Sequence, residues 1–128
     1  MTLVKTKGRD EKLIYFNETI ATRYGVNAAV VAEYLMSEFL CSESTNKNIR
    51  CLRNREYCRC GARMLSGELM CLSQHQVRHA FNKLVDKGVL VKKQLSKSEF
   101  DNTNWYAFTD YGWRLARDRD GEQYELYS

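Results

Sequence analysis

The sequence predicts a mainly α chain with one small antiparallel β-hairpin in its C-terminal third. Residues 72–87 carry an amphipathic pattern of helical period with a clear start and a clear stop. Past Gly88 the period changes: Val89, Leu90 and Val91 run into Lys92, Lys93 and Gln94, as a strand entering a basic hairpin does. The polar stretch SKSEFDNTN (96–104) then separates that strand from WYAFT (105–109), the returning one.

From the N-terminus, MTLVKTKGRDEK (1–12) lacks a sustained apolar pattern and reads as a flexible arm. LIYF (13–16) fits either a short strand or a lead into the first helix. Asn17 caps a short helix, NETIATRY, that Gly25 closes, and Asn27 caps a longer one over about 28–41. In that longer helix Val30, Val31, Tyr34, Leu35 and Phe39 point to a core, and Glu33 and Glu38 to water. SESTNKN (42–48) is a polar loop. Residues 50–59 are basic and without clear period, and only 57–59 suggest a first strand for the small sheet. Gly61 or Ala62 opens a helix to about Glu68, with Met64 and Leu65 inward, and 69–72 form a turn.

The next helix is the best defined. Ser73 is its N-cap, and Gln76 three residues on completes a capping box by reaching back to the cap amide. Leu72 and Val77 flank the cap as a hydrophobic staple. Val77, Ala80, Phe81, Leu84 and Val85 make one apolar stripe, and Gly88 stands where a left-handed residue ends a helix, just after Lys87. Opposite the stripe lie His75, His79, Asn82 and Asp86, flanked by Arg78 and Lys83. All but Asp86 can donate to phosphates or base edges, and Asn suits adenine. In the returning strand, alternation puts Tyr106 and Phe108 on one side and Trp105 and Ala107 on the other. Thr109 caps a last short helix, 110–117, and the residues from 118 to 128 read as a loose acidic tail.

A chain of 128 residues, 44% apolar and 28% charged, fits one globular domain over 1–128. No apolar run approaches the length of a membrane helix, and the first residues lack the apolar core of a signal peptide, which points to the cytoplasm. Net charge is only +4, but residues 47–97 hold twelve Lys or Arg against three acids (Glu56, Glu68, Asp86). From Asp110 onward there are three Arg against five acids. A basic block coincident with the donor-bearing helix and the hairpin is the charge distribution of a phosphate binder.

Cys41, Cys51, Cys58, Cys60 and Cys71 are odd in number and lack secretory context, so reduced thiols in or near the core are expected. Cys71, His75 and His79 recur every four residues, and two His so spaced on a helix can share a metal. Zinc needs a further ligand and Cys71 precedes the cap, so no metal is assigned. No phosphate loop, zinc-protease motif or nucleophile elbow occurs, which leaves a Cys–His pair as the one catalytic alternative. Neither enzyme activity nor a cofactor is expected.

LSQHQVRHAFNKLVDKGVL (72–90), FDNTNWYAFT (100–109) and YGVNAAVVAEYL (24–35) together resemble the winged helix-turn-helix domain of phage and plasmid replication proteins and related bacterial regulators. The likeness spans most of 24–115. It implies a recognition helix over about 73–87 and a basic wing over about 89–109. By the resemblance, Gln74, His75, Arg78, His79, Asn82 and Lys83 face the major groove of double-stranded DNA, and Lys92, Lys93 and Lys97 of the wing touch backbone or minor groove. It also implies a role in replication initiation or transcription regulation of a phage or mobile element, with replication or transcription proteins as further partners and a homodimer as a compatible state. Glu99 and Asp101 depart from the pattern by making the wing tip acidic; Asp101 could instead brace the hairpin through an Asx-type bond. Some such domains serve as docking or oligomerisation modules, and that alternative would use Tyr34, Leu35 and Phe39 as its interface.

Overall fold

Helices supply most of the regular structure, and a small antiparallel sheet supplies the rest. The computed structural model describes residues 2–5, 13–41, 48–69, 71–95 and 103–117. Its elements run β1 (Thr2–Lys5), β2 (Leu13–Phe16), α1 (Glu18–Tyr24), α2 (Val26–Cys41), β3 (Ile49–Leu52), β4 (Arg55–Arg59), α3 (Ala62–Leu69), α4 (Gln74–Asp86), β5 (Leu90–Lys93), β6 (Trp105–Phe108) and α5 (Asp110–Arg117). The four-stranded sheet has the order β3-β4-β6-β5, and β1 pairs with β2 in a separate hairpin. Among the described residues no helix is long and apolar enough to cross a membrane.

Four sequence expectations are corrected. Part of the expected arm is strand: Thr2–Lys5 pairs antiparallel with Leu13–Phe16, from Thr2 opposite Phe16 to Lys5 opposite Leu13. An apolar run such as LIYF needs a backbone partner, which Thr2, Leu3 and Val4 provide. The helix expected from about 28 starts at Val26, because Gly25 serves two helices at once. Its N–H closes α1 on the Ala21 carbonyl at 2.8 Å, and its own carbonyl takes the first α2 bond, from Ala29 N–H, at 3.1 Å. Asn27 therefore sits exposed in the first turn of α2 rather than capping it. The basic stretch without period is a hairpin, β3–β4, whose two-residue turn holds Arg53 and Asn54 at positive φ (51° and 63°). Met64, expected inward, is 42% exposed, while Leu65 and Leu69 of the same helix are buried. The 118–128 tail and residues 6–12 lie outside the described residues.

The expected caps of α4 are present. The Ser73 hydroxyl accepts from Gln76 N–H at 3.1 Å and the Gln76 side chain accepts from Ser73 N–H at 2.9 Å. At the other end Gly88 adopts φ 77°, Gly88 N–H donates to the Val85 carbonyl (3.1 Å) and Val89 N–H to that of Leu84 (2.9 Å). This is a Schellman closure, and it aims the chain directly into β5. Thr109 then joins α5 to the same junction: its N–H donates to the Val89 carbonyl at 3.1 Å, its hydroxyl to that of Gly88 at 2.5 Å, and the hydroxyl oxygen accepts from Gly112 N–H at 2.9 Å.

The two sheet faces have different cover. Tyr106 and Phe108 join the main core with Phe81, Leu84, Leu35, Phe39 and Leu65, and Phe81 stacks on Tyr106 with ring centres 3.9 Å apart and planes 6° from parallel. Trp105 and Ala107 belong to a second cluster with Tyr57 on the opposite face, as alternation along β6 requires. Among the described residues one polar side chain is deeply buried. Asn17, 1% exposed, caps α1 by accepting from Ile20 N–H and also donates to the Leu115 carbonyl at 2.8 Å, which ties the start of α1 to the end of α5.

Candidate nucleic-acid interface

The helix α4 buries Val77, Ala80, Phe81 and Leu84 and turns the opposite side outward. Gln74, His75, Arg78, His79 and Asn82 are exposed, and Lys83 is half-buried at the edge of that face. Asp86, its sole acid, lies in the last turn. The capping box and the Schellman closure fix both ends of the helix, so these donors are carried on a rigid element.

A second group lies beside this face. The first turn of α2, Val26 to Ala28, and His79, Ala80 and Lys83 of α4 line a cavity of about 260 Å³ that also borders Tyr24 and Gly25. Helix N-termini carry amides without intrahelical partners, and anions are favoured there. The sequence does not reveal this contribution, because Asn27 has the residue type of a cap outside the helix yet lies within its first turn. Tyr24 is held in turn by Tyr111 of α5, with the two hydroxyls 2.6 Å apart and Arg23 donating to Tyr111 at 3.1 Å.

The lysines expected on the wing divide. Lys92 and Lys93 are both exposed on β5, but adjacent strand residues point to opposite faces. Lys92 is opposite Tyr106, the residue stacked on Phe81, and so lies on the α4 side of the sheet. Lys93 lies on the far side, its ammonium 5.7 Å from the centre of the Tyr57 ring. Lys97, Glu99 and Asp101 lie outside the described residues.

The cysteines do not behave alike. Cys51 and Cys71 are exposed, contrary to the expectation of core thiols, because one lies on edge strand β3 and the other in the turn before α4. Cys58 and Cys60 are buried; burial, reinforced by the charge of Glu38, pushes the Cys58 thiol up to about 12 and raises that of Cys60 as well. The thiolate is the reactive form, so these two are chemically quiet. Under native conditions near pH 8, maleimide labelling read by peptide mass spectrometry is expected at Cys51 and Cys71, and at Cys58 and Cys60 only after denaturation. Rapid native labelling of Cys58 or Cys60 would contradict their placement. Among the described residues no group of three His, Cys, Asp or Glu is placed to hold a metal ion.

The side chains assigned to a docking interface are mostly interior. Leu35 is fully buried and Phe39 is 7% exposed, packed against Phe108 and Trp113, while Tyr34 is half-buried with its hydroxyl toward the Met64 sulfur. Leu40, next in sequence, is exposed.

Comparison with protein-family models, curated proteins and solved structures finds no match to this chain.

Proposed function

We propose that the chain is a winged helix-turn-helix binder of double-stranded DNA in which α4 enters the major groove. The observation that carries this reading is the composition of the exposed α4 face: six potential donors, Gln74, His75, Arg78, His79, Asn82 and Lys83, with an acid only in the last turn. A helix docked by its N-terminal turns keeps that last turn away from the groove. Arg and Lys position the domain on phosphates, while Arg78, Asn82 and Gln74 have the donor geometry to read base edges. Lys92 on the α4 side of the sheet and the first-turn amides of α2 beside Lys83 are suited to the flanking backbone. The order α3, turn, α4, β5, β6, with β4 as third strand, supports the winged assignment.

By its sequence resemblance the domain serves replication initiation or transcription regulation of a phage or mobile element, in the cytoplasm, without cofactor or catalysis. Two-fold symmetric half-sites would suit a homodimer. A docking or oligomerisation module is the weaker reading, since Leu35 and Phe39, two of its three expected contacts, are committed to the core and the third, Tyr34, is half-buried.

The test is selection of preferred sequences from a random duplex pool by the parent and by Asn82→Ala. The parent should enrich a defined motif, and Asn82→Ala should relax it at one base pair by about 1–3 kcal/mol. A pool left unenriched by the parent would reject sequence reading.

A further inference from the structure

We propose that the outer face of the four-stranded sheet is a second nucleic-acid contact, which holds phosphodiester backbone independently of α4 and of base sequence. Alternation along the strands defines this face, and its positions are either cationic (Arg50, Arg55, Arg59, Lys93) or apolar, with no acid among them. Arg55 meets the Asp110 carboxylate at 3.8 Å. Gathering like charges on one small sheet is unfavourable by itself, and an anionic partner removes that cost.

Two of these cations are held in place before any ligand arrives. The Arg50 guanidinium lies 5.0 Å from the Trp105 ring centre and donates to the Leu95 carbonyl at 3.0 Å. Lys93 lies over Tyr57. Both cations are exposed, while the rings beneath are 3% (Trp105) and 4% (Tyr57) exposed. Arg and Lys ordinarily lose much rotamer freedom on binding, and cation–π seating has already removed part of it. Because the rings are covered, the face offers cations and little apolar surface to insert. That favours a phosphate backbone over a bilayer.

The direction of the face separates it from α4. Tyr106, on the inner face, stacks on Phe81 of α4, so Arg50 and Lys93 look away from the recognition helix. Nothing in this proposal requires α4 to read DNA.

Methionine at both positions keeps an apolar cover over the rings and removes the charges, so Arg50→Met/Lys93→Met should melt close to the parent. The measurement is fluorescence-anisotropy binding of a random-sequence duplex by the parent, this double variant, Arg78→Ala, and the three substitutions combined. Two lost phosphate contacts, at about 0.9 log units per decade of salt each, make the parent lose about 12-fold more affinity than the double variant between about 50 and 200 mM salt. The same difference should separate Arg78→Ala from the triple variant, since the faces share no partner. Equal affinity and salt slope for parent and double variant would overturn the proposal, as would a parent that binds no duplex. Binding to phosphatidylserine vesicles, but not to DNA, that the double variant loses would overturn it in favour of a membrane surface. Failure of the α4 reading looks different: Arg78→Ala would match the parent while the double variant still weakened binding.

Discussion

Phe81→Ala should destabilise the chain by about 3–5 kcal/mol, a large share of the total stability of a domain of this size. Phe81 is 2% exposed and lies at the meeting point of α4 and the sheet, stacked on Tyr106. Truncation removes the stack and leaves a ring-sized void between an element fixed at both ends by its caps and a strand paired on both sides. Neither is free to collapse, so the cavity contribution is near its full value. Urea unfolding should show a lower midpoint with an unchanged slope. Tyr106→Phe is the contrast: it keeps the stacked ring and gives up only a long hydrogen bond from Asn104 at 3.5 Å, so it should cost less than about 1 kcal/mol. Equal losses for the two substitutions would show that the stack is not what joins α4 to the sheet.

Gly112→Ala should also destabilise, by about 3 kcal/mol, although in an exposed helix the same change is favourable by about 1 kcal/mol. A Cβ at Gly112 would stand 2.0 Å from the Val89 carbonyl oxygen and 2.9 Å from its carbon, both backbone atoms. Val89 is held by the Schellman closure of α4 and by Thr109 N–H, so it cannot withdraw without loosening the α4–β5 junction. The alternative is for α5 to lift, which breaks the Thr109 cap and separates Trp113 from Phe39 and Phe108. Denaturant unfolding followed by tryptophan fluorescence reports both. A stabilised Gly112→Ala would mean that α5 does not lie against Val89.

What was legible in the sequence was mainly local. The start of α4 is encoded by Ser73 and Gln76, its stop by Gly88, and the period change after it by three apolar residues followed by two lysines. Alternation in WYAF correctly separated Trp105 from Tyr106. Where partners are distant, the sequence said less. Asn17 was recognisable as a cap, but its bond to the Leu115 carbonyl joins residues 98 apart. The β3–β4 turn was hidden because Arg53 and Asn54, both at positive φ, stand where an Asn-Gly or Asp-Gly pair normally advertises such a turn. The candidate site suffered the same limit. The basic block read as one surface, yet β5 sends Lys92 and Lys93 to opposite faces, and only tertiary packing reveals which face α4 covers. The exposed donors of α4 were legible throughout, since one apolar stripe defines its opposite side.

Duplex binding by α4 is tested most directly by anisotropy on random duplex DNA, titrated from low to physiological salt, with Arg78→Ala beside the parent. The expected result is binding that weakens by about 0.9 log units per decade of salt for each phosphate contacted, and a substantially weaker Arg78→Ala at every salt concentration. Arg78→Ala binding as tightly as the parent across the titration would contradict a DNA-reading α4.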